Sequence, residues 1–426
     1  SRRRHTRYWR DWSSDVCSSD LNTSMPSSVQ LNEDSSCNAI PGSGVAAGIR
    51  PGLRVAAVLA AMTTAAHAQD STFDGEAGDV TSYSDATNWL GDVYPGDDLG
   101  GNGIVFDIDL PGGDPFDILL DAGVTGINGL DNTVDNLAIT FSDGGGSFVF
   151  DPTSTIDTGT GSFTFDVGVT FLGDVTFNLN ETGSVLFNDT VEFGQSGVAG
   201  GVATFNSGTA TFAGDVTVND AFGFIFDDGV QVNFGNVDFL GSSNLFFENS
   251  GDSSSAVFGG NVGFVDGAAL TIGGNDAGAT ATFSGDVTLA GAFSLLVTGG
   301  QTVNWSAGTE FAGDLTIDTT GAGDASVTFS GSRTWSLANG FDEMNINVTT
   351  DGADEVTILG TVFNDSQGGI FNFNLSDAST LNIGTILSGQ PGIEFHFDLG
   401  DSAEVVLNTI DPTGAGVANE IGRAHV

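Results

Sequence analysis

Phe212-Ala-Gly-Asp-Val-Thr-Val218 and Phe283-Ser-Gly-Asp-Val-Thr-Leu289 are two copies of a phrase that also reads Phe171-Leu-Gly-Asp-Val-Thr-Phe177 and Phe311-Ala-Gly-Asp-Leu-Thr-Ile317. A looser copy, Phe258-Gly-Gly-Asn-Val-Gly-Phe264, lies among them, and weaker ones begin at Phe193, Phe234 and Phe329. The leading Phe positions are separated by 22, 19, 22, 24, 25, 28 and 18 residues. A period of roughly 20 to 30 residues marks a solenoid, whose unit cannot bury its apolar face alone and must stack on its neighbours.

The content of the unit decides which solenoid. In Val-Thr-Phe and its relatives apolar residues alternate with Thr, the period-2 pattern of a strand whose successive side chains face opposite ways. The preceding Gly-Asp pair reads as a turn, because Gly tolerates positive φ and Asp can bond nearby backbone. Each unit is therefore strand, turn, strand. The 63 Gly and the abundance of Thr, Val and Phe disfavour a helical solenoid, and no Leu-x-x-Leu-x-Leu frame of a leucine-rich repeat occurs. The expected fold is all-β, a right-handed parallel β-helix. Phe171, Phe212, Phe283 and Phe311 are expected inward in one stacked column, and Asp286 and Asp314 are expected to stack on successive coils.

Charge is the second strong signal. Of 55 acids five precede residue 70 and Glu420 follows 419, so 49 fall between, against the single base Arg333; the chain has no Lys. Such a surface repels nucleic acid and anionic headgroups, whose binding depends on Lys and Arg. Strongly acidic chains are often disordered, but 33 Phe in a regular strand pattern predict a folded body.

Residues 1–21 share neither composition nor pattern with the rest and resemble translated sequencing-adapter sequence, as do residues 420–426. Both are set apart from the fold, and the natural protein is expected to continue past 419. Residues 22–52 read as an extended n-region. Residues 53–68 read as a secretory signal peptide: Arg50 and Arg54 supply the positive flank, Val55 to Met62 the apolar stretch, and Ala66-His67-Ala68 a small-x-small cleavage site. The apolar run is shorter than the roughly 20 residues a spanning helix needs. Cys17 and Cys37 both precede that site, so a processed chain would carry no thiol.

Residues 69–106 differ in texture, with Tyr83, Trp89 and Tyr94, and are expected to form the N-terminal cap that a solenoid requires; 107–419 hold the repeats. Phe73-Asp-Gly, Asn88-Trp89, Gly91, Pro95-Gly96, Asp98 and Val105-Phe106 resemble the opening of the β-helical passenger domains of bacterial autotransporters, and the strand repeats that follow resemble theirs. The resemblance implies an exported, surface-displayed stalk or adhesin at the outer membrane. Its ligand would be a carbohydrate or protein surface, and its membrane attachment would come only through a C-terminal barrel that this sequence lacks.

Few residues invite a chemical reading. Gly251-Asp-Ser-Ser-Ser255 is similar to a serine-protease nucleophile setting, but a triad needs a base; the available His396 lies 143 residues beyond Ser253, between Phe395 and Phe397, and reads as an outward strand residue. A β-helical carbohydrate-active hydrolase is the alternative function, since such enzymes use clustered carboxylates, and a surface-layer or matrix protein is another. The pairs Asp227-Asp228, Asp342-Glu343 and Asp354-Glu355 read as solvated turns. Gly273-Gly-Asn-Asp276 and Gly100-Gly-Asn-Gly103 echo calcium-binding β-roll loops without the nine-residue repeat, leaving only diffuse cation association. The sequence assigns no residue to catalysis, to a cofactor or to a metal. Late strands such as Met344-Asn-Ile-Asn-Val348 and Ile370-Phe-Asn-Phe-Asn-Leu375 predict outward amides.

Overall fold

The computed structural model describes residues 71–411 apart from 74–79, 85–87, 89–97, 107–114, 196–199, 249–252, 321–323, 337–342, 351–353, 365–369, 377–378, 389–393 and positions 220, 228, 277, 332 and 360. The adapter-like ends, the n-region, the signal peptide and Trp89 lie outside the described residues.

The described strands number 37 and join one sheet. They pair in parallel, as in Ser184–Phe187 on Ser162–Phe165, Val191–Phe193 on Gly168–Phe171 and Gly201–Asn206 beside Asp174–Asn178. The chain is a parallel β-solenoid. A regular coil has three strands, exemplified by Ser162–Phe165 (face 1), Gly168–Phe171 (face 2) and Asp174–Asn178 (face 3). The face 2 ladder, from Gly168–Phe171 to Thr380–Ser388, contains ten strands in succession. Nearer the N-terminus faces 2 and 3 merge: in Ser147–Asp157 the first part pairs with Gly168–Phe171 and the second with Asp174–Asn178. Pro152 sits between the two paired parts, where no ladder N–H is required.

The described part of the expected cap continues the same ladders. Ser71–Phe73 pairs with Ile104–Phe106, and Val80–Ser82 with Asp117–Leu119. The Phe73 ring lies 5.8 Å from Phe106 and 6.0 Å from Phe116, and Tyr83 is buried.

The alternation read from sequence sets the core. Inward positions carry Phe, Val, Leu and Ile, and register places like on like. On face 1 Phe165, Phe187, Phe212, Phe234, Phe258 and Phe283 stack with centroids 4.7, 4.8, 5.0, 4.8 and 4.6 Å apart and planes within 9° of parallel. Trp305 and Phe329 continue the column at 5.1 and 4.3 Å. The ring spacing follows the inter-strand spacing of about 4.8 Å, and offset-stacked rings add about 0.5–1.5 kcal/mol per pair to the burial itself. Face 2 carries Phe171 on Phe193 at 5.3 Å and Phe239 on Phe264 at 4.7 Å, with Val218 and Leu289 interrupting. On face 3 Phe177, Phe205, Phe226 and Phe247 stack until Gly274 takes the next place.

The expectation of one column needs correction. Phe171, Phe212, Phe283 and Phe311 are all buried, but Phe212 and Phe283 belong to face 1 and Phe171 and Phe311 to face 2. The phrase is a corner unit that serves at two different corners. Phe212 and Phe283 precede the turn from face 1 to face 2, whereas Phe171 and Phe311 precede the turn from face 2 to face 3.

Candidate functional site

The corners decide what the carboxylates do. Asp286 and Asp314 do not stack: Asp286 follows the face 1 strand Thr280–Phe283, and Asp314 follows the face 2 strand Thr309–Phe311. Corner acids instead reach an uncharged residue of the next coil. Asp174 accepts the backbone N–H of Val202 at 3.0 Å, Asp266 that of Ala292 at 2.9 Å, Asp286 that of Gly308 at 3.1 Å and Asp314 that of Asn345 at 2.8 Å. At the corner between faces 1 and 2, Asn236 donates its amide to Asp215 at 2.9 Å and accepts the N–H of Asn261 at 2.9 Å. Asn236 and Asn261 thus separate Asp215 from Asp286.

The sequence motifs fall apart chemically in the structure. Asp276, from the calcium-like phrase, is buried and its two oxygens take the N–H groups of Ser254 and Gly278, each at 2.9 Å. It closes a corner from inside. Asp354 also departs from the solvated-turn expectation: it is buried and accepts the N–H of Ala325 at 2.9 Å, because this corner turns its side chain inward, while its neighbour Glu355 is exposed and accepts from Asn382 at 2.9 Å. Of the other two pairs, Asp228 and Asp342 lie outside the described residues. Gly100 and Gly101, both at positive φ, belong to the irregular stretch of the strand Asp98–Phe106. Ser253 precedes the strand Ser255–Phe258, and His396 is exposed on the strand Glu394–Leu399, five coils on, or about 24 Å along the stack at about 4.8 Å per coil. The structure does not bring Ser253 and His396 together.

Outward amides occur where the alternation places them. Asn374 donates to Asn347 at 2.9 Å, Asn347 to the Thr316 hydroxyl at 3.3 Å, and Asn372 to Asn345 at 3.1 Å. Near the N-terminus burial acts to raise the Asp121 carboxyl, but hydrogen bonds from the Ser82 and Ser84 hydroxyls and the Ser84 N–H outweigh it and hold the group below the usual aspartate value.

A groove of about 730 Å³ lies on face 2. Gly263 forms its floor between Asp238 and Thr288, its partners in register. A Cβ at Gly263 would lie 2.6 Å from Asp238 Oδ1, so the missing side chain both opens the groove and seats that carboxylate. One wall is the Asp215–Asn236–Asn261 corner; the other is an aliphatic ledge of Leu240, Val265 and Ala290. Leu240 is 47% and Val265 37% exposed, so the ledge presents aliphatic surface to solvent.

No family model, curated protein or solved structure matches this chain.

The groove lining offers carboxylates, amides, hydroxyls and aliphatic groups, without imidazole, ammonium, guanidinium or thiol. Among the described residues no group of three or more His, Cys, Asp or Glu is arranged to hold a metal ion. The groove was legible only as a blemish in the repeat: the looser copy has Val262-Gly-Phe264 where the four full copies have Val-Thr or Leu-Thr.

Proposed function

We propose that this chain is the exported passenger part of an autotransporter-like outer-membrane protein, acting as a β-helical stalk or adhesin at the cell surface. The observation that carries the reading is the division of labour in the coil. Aromatic rings go into continuous inner columns, and the corner carboxylates engage backbone N–H groups of the neighbouring coil. Such a body gains stability from coil-on-coil stacking and leaves its outer faces for contact. The sequence-level signal peptide and the autotransporter-like opening supply the direction of export.

The test is to express the full reading frame in a Gram-negative host and follow the chain by fractionation and by proteolysis of intact cells. Surface exposure that is lost on deletion of 53–68 supports the reading; a chain retained in the cytosol overturns it. The groove with Asp215 and Asp238 favours a second reading, a carbohydrate-active hydrolase. Release of reducing ends from polysaccharide that disappears in Asp238→Asn would select that reading.

A further inference from the structure

Face 1 differs from the rest of the surface. Across eight consecutive strands, from Ser162–Phe165 to Ser326–Phe329, the two outward positions of each strand stand in two registered columns. None of these positions is charged, and all except Leu186 and Val257 carry a hydroxyl or an amide. They alternate with fully buried positions and are themselves mostly half-buried, the mark of a flat sheet face. The single outward column of face 2, by contrast, includes Glu192, Asp238 and Glu310. The edge of face 1 is lined by the corner acids, among them Asp215 and Asp286.

We propose that face 1 binds a neutral polysaccharide laid along the coil axis, an inference that rests on the adhesin reading and names its ligand class. Charge decides the class. An anionic polymer is repelled by a chain of net charge −46. A cationic one is drawn to the corner carboxylates and away from the neutral strip. A second copy of the chain brings the same large negative charge, so long-range repulsion opposes face-to-face pairing. A neutral polyhydroxyl chain meets none of these penalties, and desolvating hydroxyls and amides costs far less than desolvating carboxylates. The columns repeat about every 4.8 Å along the axis and about 6.6 Å across it, over about 34 Å. Hydroxyls and amides both donate and accept, so a polymer with its own regular hydroxyls can engage many weak sites at once. Without an exposed aromatic platform on this strip each sugar contributes little, and affinity rises with chain length.

The experiment is affinity electrophoresis of the full chain through gels containing hydroxyethylcellulose or dextran (neutral), polygalacturonate (anionic) or chitosan (cationic), at low and high salt. Retardation by a neutral glycan, insensitive to salt, is expected. Thr209→Glu/Thr280→Glu should weaken it by about tenfold or more, and so should Thr209→Val/Thr280→Val, which keeps strand preference and removes only hydroxyls. Thr204→Glu/Thr271→Glu on face 3, outside the groove and with uncharged neighbours in register, makes the same charge change and should bind as the parent. Three results each overturn the inference: no retardation by either neutral glycan, equal loss in the face 1 and face 3 variants, or retardation confined to chitosan and abolished by salt. Sedimentation showing a dimer dispersed by Thr209→Glu/Thr280→Glu would assign the face to a second copy instead. Surface display is scored separately by fractionation, so a displayed chain that ignores neutral glycans defeats this inference alone.

Discussion

Face 1 and face 2 use the same vocabulary of Val, Thr and Phe, yet they differ inside and out. Face 1 strands from Ser162–Phe165 to Ser326–Phe329 are four residues long, their ring column is unbroken from Phe141 to Phe329, and their outer surface is neutral. Face 2 strands are mostly three residues long, Val218 and Leu289 interrupt their ring column, and the outer surface carries acids and the Gly263 groove. Regular stacking and a flat, uncharged exterior go together in this solenoid. Where the inner column is irregular, the exterior acquires relief and charge.

The largest break in this comparison comes from the rings. Phe212, sandwiched by Phe187 at 4.8 Å and Phe234 at 5.0 Å, is expected to cost about 4 kcal/mol on substitution by Ala. Phe239→Ala on face 2, where the column stacks a ring on one side only, should cost about 1 kcal/mol less. Urea unfolding midpoints compare the two, and equal losses would mean that ring continuity contributes nothing beyond burial.

Face 3 supplies the next test, because its column ends on a backbone contact. Gly274 has φ of +140°, and a Cβ there would lie 1.9 Å from the Phe247 carbonyl oxygen. Gly274→Ala should destabilise by about 2–3 kcal/mol. A variant as stable as the parent would show that the coil shifts freely at this point.

Inside the corner, Asp276→Asn replaces one acceptor by a donor and leaves one of the Ser254 and Gly278 N–H groups unmatched. The expected loss is about 1–3 kcal/mol. Asp238→Asn, on the exposed exterior of face 2, should change stability by under about 0.5 kcal/mol. Thermal melting of the two variants side by side measures the difference between a carboxylate built into the coil and one carried on it.

Smaller still is the charge contrast between the exteriors. Thr288→Glu on face 2 adds a carboxylate in register with Glu310, whereas Thr280→Glu on face 1 has Ser255 and Thr302 as its neighbours. Two charges about 4.8 Å apart in water repel by about 0.9 kcal/mol. The face 2 variant should therefore melt lower at low salt and recover in high salt, and a salt-independent gap would refute the charge account. At the first coils the effect is confined to acid. The folded Asp121 carboxyl is held below the usual aspartate value, so its contribution is complete above the unfolded value near about pH 4 and is lost as pH falls through the folded one. Hydrogen exchange of the Ser84 amide should accelerate in that window in the parent and at neutral pH in Asp121→Asn.

Much of this architecture was legible in the sequence. Alternation fixed which residues face inward, and Phe171, Phe212, Phe283 and Phe311 are all buried. Column membership was not legible from the phrase, because the corners after faces 1 and 2 pose the same local problem and the chain answers both with Gly-Asp. Spacing held the missing information. Intervals of 22, 24 and 25 residues, from Phe212 to Phe283, stay on one face, whereas those of 19, 28 and 18 move between faces. The neutral strip eluded the sequence for a different reason, and the groove left only the departure at Gly263. Each is assembled across coils, from residues more than 20 positions apart, and register alone brings them together.

The pairing of each face 1 strand with its neighbours about 22 to 25 residues away also has a mechanical side. Pulled from the C-terminal end, such a stack should yield one coil at a time, each rupture freeing about 75–85 Å of chain at about 3.4 Å per residue. The load falls on one layer of hydrogen bonds and one layer of rings, and the layers beneath are untouched until it gives way. Force is then dissipated as a staircase of similar steps, a shock absorber with as many stages as there are coils.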